Sequence, residues 1–147
     1  MTEKSKGELM ETRHEVLVQD VMNTRVVTVS ESTSINEAAR VMRRNGVGCV
    51  VVKKDSDVLG IVTERDVIRT IGSGESESST VSILASKPVV VIDPKDSVTD
   101  AARILAEKGI KRLPVVDGKE LVGILTSTDL VEFYEKLSKH MIKTIGP

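Results

Sequence analysis

The chain has 147 residues, of which 39% are hydrophobic and 29% charged, and its formal net charge is −1. These values fit a globular protein of one ordinary domain or two small ones, and they exclude a strongly basic nucleic-acid binder. Phe133 and Tyr134 are the only aromatic residues, so aliphatic side chains must form the core.

The remaining sequence-wide features predict a cytoplasmic protein. No apolar run approaches the roughly 18 residues of a membrane-spanning helix. Residues 1–12 lack the apolar stretch of a secretion signal. Cys49 is the only cysteine, which excludes an internal disulfide and a metal site built from several cysteines.

The chain contains an internal duplication. Val26–Asp66 aligns with Val89–Asp129 without a gap, at a constant offset of 63 residues (89 − 26 = 63). Both copies close on the same pattern, Gly60-Ile61-Val62-Thr63-Glu64-Arg65-Asp66 and Gly123-Ile124-Leu125-Thr126-Ser127-Thr128-Asp129. Such self-similarity predicts two related structural units. A site in one copy therefore has a counterpart in the other.

Each copy begins with a short helical leader and a strand. Apolar residues at helical spacing predict the leaders: Leu17, Val18, Val21 and Met22 before copy one, and Val81 and Leu84 before copy two. The β-branched runs Val26–Val29 and Val89–Ile92 then predict the first strands.

An amphipathic helix comes next in each copy. A serine three residues before an acid gives the spacing of a capping box, at Ser34 and Glu37 and again at Ser97 and Asp100. The apolar residues that follow share one helical face: Ile35, Ala38, Ala39 and Met42, then Val98, Ala101, Ala102 and Leu105. Gly46 and Gly109 lie where a left-handed residue ends a helix.

Two strands and a last helix complete each copy. The predicted strands are Val47–Val52, Val58–Val62, Ile110–Val116 and Leu121–Leu125, and the predicted last helices are Glu64–Ile71 and Ser127 to about Ile142. The polar Gly/Ser/Glu segment between the copies predicts a flexible linker. The predicted organisation is a tail at 1–13, copy one at 14–71, the linker at 72–80, copy two at 81–142 and a tail at 143–147.

Two tandem units that each close on Gly-hydrophobic-x-Thr-x-x-Asp resemble a CBS-domain pair, also called a Bateman module. The resemblance covers roughly Val16 to Leu137. It implies an α/β (α+β) fold in which two β-α-β-β-α repeats pack about a pseudo-twofold axis. It also implies two clefts between the repeats that bind AMP, ADP, ATP, S-adenosylmethionine or a related nucleoside. A regulatory role, a homodimer and an unknown regulated protein are implied in the same way.

The Thr and Asp of the closing pattern have two interpretations. Thr63 with Asp66, and Thr126 with Asp129, have the spacing of a capping box, which would serve the fold alone. The same helix N-terminus also suits a phosphate or a ribose oxygen, and a carboxylate there can accept hydrogen bonds from a ribose diol. The resemblance implies that the Asp holds ribose. The two interpretations are compatible.

The resemblance also implies further nucleotide-binding positions on the strands. In copy one these are Thr24, Val26, Val47 and Cys49, and in copy two they are Lys87, Val89, Ile110, Lys111 and Pro114. For any single one of the apolar residues, ordinary core packing is the simpler interpretation.

The copies differ in their cations. Arg112 aligns with Cys49, and Arg65 aligns with Thr128. Because the planar guanidinium suits phosphate, we predict two unequal sites, with copy two better for a phosphorylated nucleoside. A solvated surface charge is the alternative for each cation.

Other function classes find less support in the sequence. No nucleophile–base arrangement or Gly-rich phosphate loop predicts an enzyme, and no metal or required cofactor is expected. A structural or adaptor homodimer with vestigial clefts is the main alternative to a ligand sensor. Nucleic-acid binding is disfavoured by the charge balance and by the absence of stacking aromatic residues, and only the basic tail, with Lys136, Lys139, His140 and Lys143, favours it.

Overall fold

A computed structural model of the protein describes residues 15–74, 76, 78–85 and 89–145, with side chains up to residue 142. The elements in chain order are α1 (Val18–Val21), β1 (Thr28–Ser30), α2 (Ile35–Asn45), β2 (Cys49–Lys54), β3 (Asp57–Thr63), α3 (Glu64–Gly72), a 3₁₀ turn (Val81–Ile83), α4 (Val98–Lys108), β4 (Arg112–Asp117), β5 (Glu120–Thr126) and α5 (Ser127–Ile145). The predicted α+β class and the repeated order of elements are confirmed. No helix among the described residues is long and apolar enough to cross a membrane.

The described residues form two compact units. The repeat-one unit comprises Arg25–Val90 with Lys119–Leu121, and the repeat-two unit comprises the leader up to Thr24, Val91–Gly118 and the chain from Val122 onward. The leader before copy one thus belongs to the repeat-two unit, and the leader before copy two belongs to the repeat-one unit. The domain bounds inferred from the sequence divide the chain into contiguous segments, whereas the compact units combine segments that are distant in sequence. Those bounds therefore stay a prediction.

The repeat-one unit is a three-stranded sheet with helices packed on its apolar side chains. β1 runs parallel to β2, and β2 pairs with β3 in antiparallel order. The 3₁₀ turn is fixed to this unit, because the Val81 amide donates to the Thr33 carbonyl at 2.8 Å. Val81 is fully buried in the core, which also contains Val29, Ile35, Ala38, Met42, Val50, Val52, Val62, Val67 and Ala85.

The repeat-two unit holds the N-terminal leader in the equivalent way. The Val18 amide donates to the Asp96 carbonyl at 2.8 Å, and the Val98 amide donates to the Val16 carbonyl at 2.9 Å. Val18 is fully buried. Farther along, Asn23 and Ile124 exchange two backbone hydrogen bonds of 2.9 Å. The leader is therefore an integral part of this unit.

The first strand of copy two is reduced to a single bridge, between Ile92 and Val115, which corrects the prediction of a strand over Val89–Ile92. In copy one the Val51 amide donates to the Val27 carbonyl at 2.9 Å. The residue aligned with Val51 is Pro114, which has no N–H to donate. The corresponding hydrogen bond cannot form. In copy one the strand itself is Thr28–Ser30, somewhat later than predicted.

The capping boxes predicted at the middle helices form only in part. The Ser34 hydroxyl accepts from the Glu37 amide at 3.0 Å, and Ser97 accepts from Asp100 in the same way. The Glu37 carboxylate instead pairs with Arg40 and Arg44 on the exposed side of the helix. Only the serine half of the motif therefore caps each helix. Gly46 and Gly109 end the helices with φ of 63°, as predicted.

Candidate functional site

The closing pattern of copy one forms a strand-to-helix junction at the end of β3. Thr63 is the N-cap of α3, and its hydroxyl accepts a hydrogen bond from the Asp66 amide at 3.2 Å. In return, the Asp66 Oδ2 accepts from the Thr63 amide at 2.9 Å and from the Thr63 hydroxyl at 3.0 Å. The capping box predicted from the spacing is therefore complete here.

The junction of copy two, between β5 and α5, has the same pair of reciprocal capping bonds. The Thr126 hydroxyl accepts from the Asp129 amide at 3.1 Å, and the Asp129 Oδ2 accepts from the Thr126 amide at 2.9 Å. Among the residues that the structure describes, neither Asp66 nor Asp129 has a hydrogen bond to its second oxygen, Oδ1. Both side chains are half-buried. Each junction thus offers one uncommitted carboxylate oxygen beside a helix N-terminus.

The neighbouring strand is fixed against each junction by the backbone. In copy one the Glu64 amide donates to the Gly48 carbonyl at 3.0 Å, and Cys49 lies opposite Thr63 in the sheet. In copy two the Ser127 amide donates to the Lys111 carbonyl at 2.9 Å. This bond brings Arg112, the first residue of β4, to the edge where α5 begins.

The two sites differ in charge, as the alignment predicts. Arg112 is half-buried, whereas Arg65 is exposed on the first turn of α3. Neither guanidinium forms an ion pair with any residue in the described part of the chain. A half-buried guanidinium without a carboxylate partner is suited to an anionic ligand.

One difference between the sites was missed by sequence reasoning, although the alignment contains it. Glu64, directly after Thr63, aligns with Ser127. Glu64 is exposed at the helix start, where its charge would repel a phosphate, whereas the Ser127 hydroxyl donates to the Lys111 carbonyl at 3.3 Å. Copy two therefore lacks the acid that copy one carries at this point.

The remaining predicted site residues divide into four groups. Val26, Val47, Ile110 and Lys111 lie in the same compact units as the junctions of their own copies, and Pro114 does so as a fully buried residue of β4. Thr24 and Val89 each lie in a different compact unit from the other residues of their predicted site. Lys87 lies outside the described residues. Thr128 is exposed on the first turn of α5.

The site has no metal-binding character in the described part of the chain. No group of three or more His, Cys, Asp or Glu side chains is placed to hold a metal ion there. Cys49 is half-buried and forms no disulfide. The polar groups at each junction are a carboxylate oxygen, which accepts hydrogen bonds, a threonine hydroxyl and the positive end of a helix, and they suit the hydroxyls and oxyanions of an organic ligand.

Comparison with known families identifies the fold. The family model described as CBS domain matches residues 18–73 and 81–136, which is more than half of the chain. The protein belongs to the CBS domain family. The two matches correspond to the two copies of the internal repeat.

Individual relatives support this membership. The CBS domain-containing protein YhcV of Bacillus subtilis is 39% identical over 114 residues, which cover 77% of this chain and 81% of YhcV. Hypoxic response protein 1 of Mycobacterium tuberculosis is 31% identical over 115 residues, covering 76% of this chain and 80% of the relative. A match of 34% identity to the uncharacterized protein MJ1225 of Methanocaldococcus jannaschii covers only 41% of that longer protein.

Solved structures of CBS proteins superpose on the chain. The CBS-domain containing protein ATU1752 from Agrobacterium tumefaciens has a TM-score of 0.71 at 31% identity, covering 80% of this chain and 98% of that one. The CBS domain pair of protein MJ0100 has a TM-score of 0.76 at 22% identity, covering 83% and 98%. The MJ0100 pair was solved with 5′-methylthioadenosine and S-adenosyl-L-methionine bound.

Proposed function

We propose that the protein is a regulatory module of the cytoplasm that binds an adenosine-containing ligand at its strand-to-helix junctions. The observation that carries the proposal is the use of a single oxygen of Asp66 and of Asp129 in capping. The other oxygen can accept hydrogen bonds from the 2′- and 3′-hydroxyls of a ribose, while the helix N-terminus favours negative charge nearby. Membership of the CBS domain family and the adenosyl ligands of the MJ0100 pair support this choice of ligand class.

The site of copy two is proposed to prefer a phosphorylated ligand such as AMP, ADP or ATP. Arg112 supplies a guanidinium at the edge where α5 begins, and Ser127 replaces the acid of copy one. The site of copy one, with Cys49 and Glu64 at these positions, is better suited to a nucleoside without phosphate, including S-adenosylmethionine. Ligand binding would regulate a homodimer or a partner protein only if the ligand binds two packing states with different affinities.

The decisive experiment is calorimetric titration of the ligand-free protein with AMP, ADP, ATP, 5′-methylthioadenosine and S-adenosylmethionine. We expect at least one to bind with a Kd below 1 mM. Asp129→Ala removes a charged hydrogen bond, of about 1.5–3 kcal/mol. It should therefore weaken binding at copy two by about 10- to 100-fold.

Asp20→Ala is the matched control for the loss of a helix cap. The Asp20 Oδ2 accepts from the Leu17 amide at 2.9 Å, the same type of bond that the Asp129 Oδ2 accepts from the Thr126 amide, in the same compact unit but outside the site. We expect Asp20→Ala to lower thermal stability and to leave affinity unchanged. If no adenosyl compound binds to the folded protein, or if Asp129→Ala lowers thermal stability without weakening binding, the junctions serve only to cap their helices. An adaptor role would then replace the sensor role.

A further inference from the structure

Helix α2 ends at Asn45, and the next residue, Gly46, completes the only Asn-Gly pair in the chain. In such a pair the backbone nitrogen of the glycine can attack the side-chain carbonyl carbon of the asparagine. The new C–N bond closes a succinimide ring, and the –NH₂ group leaves as ammonia with the proton of the backbone amide. Water then opens the ring on either side. The products are aspartate and isoaspartate, in which the main chain runs through the side-chain carbon.

The sequence and the exposure of this pair favour the reaction. Gly46 has no Cβ to shield its nitrogen, whereas the other two asparagines, Asn23 and Asn36, are followed by larger residues. Gly46 is also exposed, and no atom lies within 4 Å of the place that a Cβ would take there. Water can therefore reach the ring once it has formed. Asn45 is thus the asparagine of this chain that is best placed to react.

The hydrogen bonds at the end of α2 oppose the reaction while the fold is intact. The Asn45 side-chain amide donates to the Val41 carbonyl at 2.8 Å, which holds it back along the helix. The peptide group that joins Asn45 to Gly46 is bonded on both sides. Its carbonyl accepts from Arg25 at 3.4 Å, and its N–H donates to the Arg43 carbonyl at 3.2 Å. Because the attacking nitrogen and the target amide are both engaged, the ring can close only when this turn opens.

We infer that Asn45 is a modification site, at which the chain deamidates at a rate set by the opening of the last turn of α2. Neither product can keep the turn as it is. Aspartate in place of Asn45 has no N–H for the Val41 carbonyl, and its charge is unfavourable at a helix C-terminus. Isoaspartate lengthens the main chain just before Gly46. The bonds from the Gly46 and Val47 amides back to the helix carbonyls then lose their register.

Copy two has no equivalent of this site. The aligned pair is Lys108-Gly109, in which Gly109 ends its helix with the same φ of 63° but no side-chain amide precedes it. In copy one the altered turn leads directly to Gly48, whose carbonyl accepts from the Glu64 amide at the start of α3. Deamidation would therefore disturb the junction of copy one and spare that of copy two. This consequence for ligand binding rests on the proposed function, whereas the reaction itself does not.

Peptide mapping by mass spectrometry measures the reaction in the full chain, folded or unfolded in urea, after incubation in mildly alkaline buffer. The mass change from –NH₂ to –OH should appear at Asn45 and not at Asn23 or Asn36 over the same period. It should appear more slowly in the folded chain, by about 10-fold or more, because local opening must precede it. Equal rates in the two states would overturn the inference. So would equal modification of all three asparagines, or a folded chain that stays unmodified when the unfolded chain has reacted completely.

Two variants test the effect of the product on the fold. Asn45→Lys copies the residue of copy two and should abolish the mass change. Asn45→Asp reproduces one product and should have a lower thermal unfolding midpoint than both the wild-type chain and Asn45→Lys. Both variants lose the bond to Val41, so their difference reports the charge at the helix end. An Asn45→Asp chain as stable as the wild type would contradict the predicted damage.

The link to the junction of copy one has its own measurement. If calorimetry shows that S-adenosylmethionine binds, a saturating concentration should slow deamidation of the folded wild-type chain several-fold. An unchanged rate with the ligand bound would overturn the link between this turn and the site. If no adenosyl compound binds, the proposed function fails, and the peptide map still decides whether Asn45 is modified.

Discussion

Arg112, Ser127 and Thr128 stand where the first copy has Cys49, Glu64 and Arg65, so the cation of copy two lies on the strand, whereas that of copy one lies on the helix beside an acid. The threonine cap and the carboxylate that returns its hydrogen bond are common to both junctions. The backbone therefore presents the same helix N-terminus twice. Its electrostatic surroundings differ.

Arg112→Ala is expected to weaken the binding of AMP or ATP by about 10- to 100-fold, because a charged hydrogen bond to phosphate contributes about 1.5–3 kcal/mol. Binding of adenosine, which has no phosphate, should change little. Calorimetry with both ligands measures the difference. Arg103→Ala removes the same charge from an exposed position in the same unit and serves as the control. Equal losses for adenosine and AMP would show that Arg112 does not contact phosphate.

The sequence predicted the residues of the junctions but not the roles of their atoms. The Thr-x-x-Asp spacing is sufficient to predict a capping box, because the hydrogen bonds are local. The same spacing at Ser34 and Glu37 gave only half a box, since Arg40 and Arg44 attract the Glu37 carboxylate. That competition depends on side-chain conformations, which a spacing rule does not contain. The free Oδ1 of Asp66 and of Asp129 is visible only in coordinates.

Among the elements, the N-terminal leader packs directly against β5 at Gly123. A Cβ at this position would lie 2.6 Å from the Met22 Sδ and 3.0 Å from the Asn23 carbonyl oxygen. The glycine that opens the closing pattern of copy two is thus required by the leader. Its backbone has no positive φ, so the requirement is space and not conformation.

Gly123→Ala is therefore expected to destabilise the protein by about 1–3 kcal/mol, the usual range for overpacking. Thermal or urea unfolding measures the change. In a Met22→Ala background, Gly123→Ala should lower the free energy of unfolding by less than it does in the wild-type chain. The nearest contact is then removed, while the Asn23 carbonyl remains. Gly72→Ala is the control: nothing lies within 4 Å of its Cβ, and the helical position should tolerate alanine. Additive effects of the two substitutions would contradict the proposed contact.

Local patterns predicted most elements well, and non-local pairing accounts for the differences. Helix α2, with its Ser34 cap and Gly46 end, follows from periodicity and cap residues within one segment. The missing strand of copy two follows from Pro114, whose effect appears only when its pairing partner is known. The sequence predicted that α5 extends to about Ile142, yet it could not show which apolar side chains of the helix are buried.

For the whole molecule, the exchange of leaders is the main organising feature. Val18 is fully buried in the repeat-two unit and Val81 in the repeat-one unit, although each precedes the other repeat in the chain. The helical spacing of apolar residues could locate both leaders but could not show which unit each belongs to, because that depends on contacts between distant segments. The segment between the copies was predicted as a flexible linker. Its last residues take part in the fold, since the Ser79 carbonyl accepts from the Ile35 amide at 2.9 Å.

Cutting the chain between residues 77 and 78 separates each repeat from the leader that completes its core. We expect neither fragment to unfold cooperatively alone, and an equimolar mixture to regain a single cooperative transition. Loss of a fully buried valine and its backbone hydrogen bonds from each core is the physical reason. Circular dichroism melting of each fragment and of the mixture is the measurement. A fragment 78–147 that melts like the intact chain would show that the exchanged leader is dispensable.

The two oxygens of each junction aspartate have a consequence for how the protein responds over time. Since Oδ2 accepts its hydrogen bond from the backbone, a ligand that binds through Oδ1 would not require this bond to break. Departure of the ligand would leave no broken cap and no need for local refolding. Under the proposed function, occupancy of the junction could then follow a falling ligand concentration as readily as a rising one. Repeated binding and release would not destabilise the protein.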